Sequence, residues 1–552
     1  MANEWRDMLL PIVVGLPAGV ALLLAFVGLL LAFVGAPALP ARVWRAVGLA
    51  AGFANFGFAA IGLGLGFDVE HIGFQSVQAL GWSEALGAEL VLGVDGIGLC
   101  FLISTTGLVP LAMLVSWGTV KDSIRSWVFV CLMLESSLLG ALASTNLLSF
   151  IFFWALALIP ILLWLASWGG VGRARAASRL WATESIGLAG LLFVAFVLRE
   201  ASLDQFGVPT LGLFSLTDES PQSLLDIRLA IEEQRLLFAV LAVALATRLP
   251  LVPLHFWLPA THAASPAGLS MLIATGFVQT AAIGILRFAL PLFPEAATEA
   301  GPILSLVGIF ALAYASLVAL VQKELKRLVA YASVGYAGFA LFGISTLNVQ
   351  GLTGAVLQLL THGLATAGLF VLIGFLSIRR GSTEVVAFGG LAKTMPVCAS
   401  FFALMVLSLM GLPLLGGFVG DLFVLLGSLE SRRELSIVAL LAMVVSASYL
   451  LWVQRRLFLG PIDEPANRGL IDLDRIERSI LLAITIPIVW IGVYPNPVLR
   501  RIEPAVLEIL YTMERGALRP EQPMPEAPTE LVQDDAIGEK LTRLSGRSGT
   551  MR

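Results

Sequence analysis

The chain has 552 residues, 58% of them hydrophobic and only 13% charged, with a net charge of −4. A soluble domain carries roughly 25% charged residues, so a deficit spread over nearly the whole length excludes a soluble enzyme on a single anchor. It implies a polytopic protein of the lipid bilayer, and the acidic balance implies no nucleic acid as a partner.

Taken in chain order, about 14 segments reach the roughly 20 apolar residues that a spanning helix needs. They centre on residues 8–34, 45–66, 91–117, 127–146, 147–168, 182–198, 235–257, 265–290, 302–321, 327–346, 351–377, 397–425, 436–458 and 479–497. The first run has no cationic region followed by a small-residue cleavage site, so it reads as a retained span. The narrowest division is Ser144 to Asn146, between the fourth and fifth segments. Beyond residue 513 the chain turns polar and proline-rich, which reads as a flexible tail over 513–552.

Loop charge checks the span count. Alternate loops carry Arg42 and Arg45, Lys121 and Arg125, Arg173, Arg175 and Arg179, then Lys323, Lys326 and Arg327, Arg379 and Arg380, and Arg455 and Arg456. The intervening loops carry Asp68, Glu70, Glu84 and Glu89, then Asp204, Asp218, Glu219 and Asp226, then Glu295 and Glu299. Arg432 and Arg433 break the pattern, beside Glu430 and Glu434. Basic loops favour the cytoplasm. This places both termini on the outer side of the membrane.

The three cysteines, Cys100, Cys131 and Cys398, are scattered in apolar stretches and imply neither a disulfide nor a metal site. There is no phosphate loop and no nucleophile beside a base. "GLGLG" in the second span is a small-residue packing stretch. What stands out is ionisable residues at membrane depth, where a charge costs at least about 2.5–3.5 kcal/mol.

Arg248 precedes Pro250 and Pro253, which break the seventh span and free backbone carbonyls. It is either a cation in a wet interior pocket or a structurally paired one. His255 and His262 flank "FWLPAT"; they read either as interfacial residues or as a proton relay. His362 shares a helix face with Gln358, four residues earlier, as a proton path or as a satisfied core histidine. Asp421 follows the glycine- and proline-rich break "GLPLLGGFVG" and reads as a proton site. Glu135 stands among serines in an apolar span. Glu184 reads as an acid at the start of its helix, favoured by the helix dipole. Lys323, Lys326 and Arg327 open the tenth span, as surface charge or as part of a path. Spans four to eight and nine to thirteen have similar makeup, each with a proline-broken helix, which points to an inverted repeat.

Four stretches carry a family resemblance: "LVPLHFWLPATHAASPAGLSMLIATGFVQTAAIGILRF", "QKELKRLVAYASVGYAGFALFGI", "GAVLQLLTHGLATAGLFVLIG" and "FGGLAKTMP" with "GLPLLGGFVGDL". They resemble the antiporter-like membrane subunits of respiratory complex I, related to Mrp-type antiporter chains, over roughly residues 90–500. The resemblance implies an all-α polytopic fold of about 14 transmembrane helices with two inverted five-helix repeats containing broken helices. It divides the chain into an N-terminal three-helix segment (1–126), a first repeat (127–290), a second repeat (302–458), a C-terminal helix (479–512) and the tail.

The resemblance also shows departures. Ala155 stands where the family has a glutamate, Arg248 where it has a lysine, and Gln279 where it has a second lysine. Tyr336 replaces a histidine, and Asp421 stands for the usual glutamate. His255, His262 and His362 are retained. Arginine is effectively always protonated, so the first half-channel reads as disabled, with Glu135 as the acid expected to pair with Arg248. The implied function is a membrane-arm, proton-translocation-type subunit of a complex-I-like NADH–quinone oxidoreductase with impaired pumping. The alternatives are an antiporter-like subunit of an inorganic-carbon uptake or membrane-bound hydrogenase assembly, and a structural spacer. No cofactor is expected on this chain: NADH, flavin, iron–sulfur clusters and quinone are expected on partner subunits, beside other membrane-arm subunits. The proton-path candidates are Glu135, Arg248, His255, His262, Lys323, Lys326, His362 and Asp421.

Overall fold

A computed structural model describes residues 2–34, 39–83, 88–214, 223–462 and 464–517. Two helices, α1 (Ala2–Phe33) and α2 (Ala41–Gly66), lead into an antiparallel hairpin of β1 (Gln75–Ser83) and β2 (Ala88–Val94). Then follow α3 (Gly96–Ser116), α4 (Ile124–Ala143), α5 (Leu147–Trp168), α6 (Arg173–Phe206), α7 (Ile231–Arg248), α8 (Trp257–Ala264) and α9 (Ala267–Leu292). The second half holds α10 (Pro294–Leu320), α11 (Leu325–Ile344), α12 (Val349–Arg380), α13 (Pro396–Leu409), α14 (Gly416–Ser431) and α15 (Arg433–Phe458). The last two helices are α16 (Arg475–Val493) and α17 (Asn496–Ala517).

Among the described residues, 12 helices are long and apolar enough to cross a bilayer. The two expected broken spans supply the rest: α7 with α8, and α13 with α14. Each is the fourth member of its five-helix set, so the two halves share one order. Local chemistry sets the boundaries. Asp95, Asn146, Asn348 and Asp474 cap the N-termini of α3, α5, α12 and α16 with side-chain oxygens on backbone amides. The Ser144–Asn146 division is therefore real, because Asn146 Oδ1 accepts from Leu148 and Ser149.

Inside, α12 is buried along its length and is gripped by α9, α11, α13, α14 and α16. Lipid-facing apolar residues stay exposed, as with Ile303, Leu306 and Phe310 on α10 and Leu440, Leu441 and Val444 on α15. The basic loops collect at one end: Arg45 donates to the Val120 carbonyl, Trp168 to that of Asp122, and Lys326 to that of Ser265.

Three expectations need correction. The acidic stretch after the second span holds a hairpin, and β2 takes the residues before Gly96 expected to open the third span. The sixth span begins at Arg173, because the arginine-rich "RARAASR" continues as helix. The C-terminal segment is two helices, and α17 runs to Ala517, past the expected start of the tail. Residues 518–552 of that tail lie outside the described residues.

Candidate functional site

Among the described residues, three buried acid–base pairs mark the interior, and two of them lie at the broken helices. In the first repeat, Arg248 ends α7 where the proline break begins. Its Nε and Nη2 donate to Glu184 Oε2 of α6 at 2.9 and 2.6 Å. Nη2 also donates to the Trp154 carbonyl at 2.9 Å, and Nη1 to Thr280 Oγ1 at 3.3 Å. The guanidinium carbon lies 3.5 Å from the Trp154 ring centre and 4.1 Å from that of Phe277. Arg248 is 0% exposed and Glu184 1%. The broken backbone beside the pair is closed too, since the Trp257 indole donates to the Thr247 carbonyl at 2.7 Å.

The close approach of α6 to α7 depends on Gly187. A Cβ there would sit 2.3 Å from Thr247 Oγ1 and 2.9 Å from the Ala244 carbonyl. Gly187 lies one turn below Glu184 on the same buried face as Leu180, Thr183 and Leu191. That row at helical spacing is the signal that could have assigned Glu184 to the interior.

In the second repeat the roles are exchanged. The third helix, α12, supplies the base and the broken fourth helix supplies the acid. His362 Nε2 lies 3.3 Å from Asp421 Oδ1, and both side chains are 4% exposed. The Tyr336 ring covers the imidazole at 3.7 Å between centres, and its hydroxyl donates to the Leu409 carbonyl at the break. Gly411, at φ +71°, lets the chain turn there; a Cβ would lie 2.7 Å from Asp421 Oδ2. His362 Nδ1, Asp421 Oδ2 and both polar atoms of the Gln358 side chain have no hydrogen-bond partner. A cavity of about 30 Å³, room for a water molecule, lies against Gln279, Ser333, Tyr336, Gln358 and His362. It joins the repeats through Gln279 of α9, whose Oε1 accepts from Ser104 Oγ at 3.3 Å.

The other sequence candidates are dispersed. Glu135 does not meet Arg248: its Oε1 accepts from Asn55 Nδ2 of α2 at 2.7 Å, so it faces the N-terminal helices. Glu184 supplies the acid expected of Glu135, and it sits well inside α6, not at its start. The buried Arg287 of α9 is engaged outside this row, donating to Asp95 Oδ1 at 3.1 Å. His255 packs edge-on to Tyr314 and Tyr331 at 5.3 and 6.0 Å. His262 stacks on Phe370 at 4.2 Å with both ring nitrogens unpartnered. Lys326 lines a larger cavity at the basic end, and Lys323 stays on the surface apart from the row. Among the described residues, no group of three or more His, Cys, Asp or Glu side chains is placed to hold a metal ion.

Fold and buried charges together define a multi-span helical membrane protein with an ionic interior. Residues 144–448 match the family described as NADH:quinone oxidoreductase/Mrp antiporter, TM, and the chain belongs to that family. It is 31% identical over 512 residues to NADH-quinone oxidoreductase subunit M of Rhodobacter capsulatus, covering 92% of this chain and 98% of the relative. It is also 31% identical to NADH-ubiquinone oxidoreductase chain 4 of Arabidopsis thaliana, covering 82% and 89%. Among solved structures it resembles a chain of respiratory complex I from Thermus thermophilus with bound NADH, with TM-score 0.78, 28% identity, and 91% and 99% of the two chains covered. A chain of the Mrp complex from Dietzia sp. DQ12-45-1b shares the fold, with TM-score 0.73, 19% identity, and 91% and 52% covered.

Proposed function

We propose that the chain is a membrane-arm subunit of a complex-I-like NADH–quinone oxidoreductase in which the first repeat carries a static charge pair and the second handles the proton. The observation behind this reading is the closure of Arg248. A permanent cation donates two hydrogen bonds to one buried carboxylate and two to neutral oxygens, and lies between two aromatic faces. A group that cannot release its proton, held in this way, has no empty state.

The His362–Asp421 pair differs in kind. Both members are titratable residue types, and each keeps an open position on its second polar atom. The small cavity against His362 offers space for a water to bridge towards Gln358 and Gln279. The chain acts as a subunit of an enzyme and holds no redox centre of its own; NADH, flavin, iron–sulfur clusters and quinone belong to partner subunits. The basic end faces the cytoplasm and the termini face the periplasm. Residues 127–290 and 302–458 form the two repeats.

The test is proton translocation per NADH oxidised in vesicles carrying the intact assembly. Asp421→Asn is expected to lower both flux and turnover. If both stay at the wild-type level, the chain is a spacer and the reading fails. The subunit list of the same preparation separates an NADH-oxidising assembly from an inorganic-carbon or hydrogenase one.

A further inference from the structure

A second cavity lies outside the charge row. Its volume is about 440 Å³, and it is bounded by the basic-end termini of α3, α5, α6, α8, α9, α11 and α12. That size falls within the range of small-ligand sites. Its polar lining includes Arg173, Lys326, Ser116, Ser167 and Ser265, and none of its described lining residues is acidic.

The hydrogen-bond arrangement is incomplete in a directed way. Ser116 and Ser265 are each 1% exposed, and neither hydroxyl oxygen has a hydrogen-bond partner. Buried hydroxyls without partners are destabilising, and a bound acceptor offsets that cost. Lys326 Nζ donates to the Ser265 carbonyl at 2.7 Å, which leaves two ammonium hydrogens free. Arg173 Nη1 reaches the Ser167 and Gly169 carbonyls at 3.3 Å, and its other N–H groups are unused. Glu324, the acid beside Lys326, is already paired with Arg327 at 3.0 Å and accepts from Thr383 at 3.3 Å. The helix α9 opens at Ala267 on the cavity wall, where first-turn amides have no partner within the helix.

We propose that this cavity binds a phosphate group, held by Lys326 and Arg173 and by the Ser116 and Ser265 hydroxyls. Two cations, two unpartnered donors and a helix N-terminus suit a tetrahedral oxyanion, which accepts from several directions at once. Trp168, Phe375 and Ile378 add apolar wall. The same chemistry serves a lipid headgroup phosphate or a soluble phosphate. The site is independent of whether the second repeat moves protons.

The test uses the intact assembly, purified through this chain and exchanged into detergent. Inorganic phosphate, dihexanoyl phosphatidylglycerol and phosphate-free dihexanoylglycerol are titrated, and the fluorescence of Trp168 at the cavity wall is followed against a Trp168→Phe background. A saturable response to at least one phosphate-bearing probe is expected, with none to dihexanoylglycerol. Binding of inorganic phosphate identifies a soluble anion; binding of phosphatidylglycerol alone identifies a lipid headgroup. Arg173→Gln is expected to weaken that binding about tenfold or more, through loss of a charge-assisted contact. Arg173 is exposed on this chain and its variant is expected to assemble, so it carries the test even if Lys326→Gln fails to assemble. The proposal is overturned if neither phosphate probe binds, if dihexanoylglycerol binds equally, or if Arg173→Gln leaves affinity unchanged.

Discussion

Removing the Glu184 carboxylate tests the architecture of the first repeat. Arg248 makes four hydrogen bonds, two of them to Glu184 Oε2, and Glu184 is the acid paired with it. Glu184→Gln preserves shape and one acceptor oxygen but leaves a 0%-exposed guanidinium without a counter-charge. Breaking a buried pair from one side costs about 3–5 kcal/mol. The Trp154 and Phe277 faces remain and offset part of this, so the lower end, about 3 kcal/mol, is expected. Replacing both partners, as in Glu184→Leu with Arg248→Met, removes the unpaired charge and is expected to lie within about 1 kcal/mol of wild type. The assay is denaturant or thermal unfolding of the purified assembly, run as a double-mutant cycle. Glu135→Gln, which disturbs only the Asn55 contact, serves as the comparison. Equal stability for Glu184→Gln and wild type, with coupling of Arg248 to Glu135 instead, would refute the reasoning.

Other outcomes follow from the same structure. Gly187→Ala puts a methyl group 2.3 Å from Thr247 Oγ1 and 2.9 Å from a backbone carbonyl. It is expected to cost about 1–3 kcal/mol by overpacking, measured by unfolding of the assembly; unchanged stability would show that α6 and α7 need no close approach. On the surface helix α17, burial pushes the Glu508 carboxyl up to about 7; Asp95 adds to the rise and Arg287 opposes it. The folded state therefore holds a proton that the unfolded state releases near pH 4.5, and docking of α17 weakens as pH rises towards about 7. Hydrogen exchange in α17 should be faster at about pH 8 than at about pH 5, after correction for the intrinsic rate, and Glu508→Gln should remove the difference.

Much of the fold was legible because the bilayer imposes lengths and loop charges that a single sequence records. The two broken helices were visible from Pro250 and Pro253 and from "GLPLLGG". The hairpin was not, because acidic residues in "SEALGAE" read as loop when hydropathy is the only guide. The site was half legible. Arg248, His362 and Asp421 stood out as ionisable groups at membrane depth. Their partners depend on helix rotation and inter-helix distance, which spacing along one chain does not fix. Glu135 and Glu184 both lie in apolar surroundings; only packing turns one towards Asn55 and the other towards Arg248. By charge the basic run from Arg173 reads as loop, which puts Glu184 at a helix end; it continues as helix, which carries Glu184 into the interior.

In the proposed function one buried acid changes protonation during turnover and the other does not. Infrared difference spectroscopy of the assembly, triggered by reduction with NADH, reads this directly through the protonated-carboxyl band. The expected result is a band abolished by Asp421→Asn and untouched by Glu184→Gln. A band that survives Asp421→Asn and vanishes in Glu184→Gln would contradict the account, because the pair around Arg248 would then be cycling.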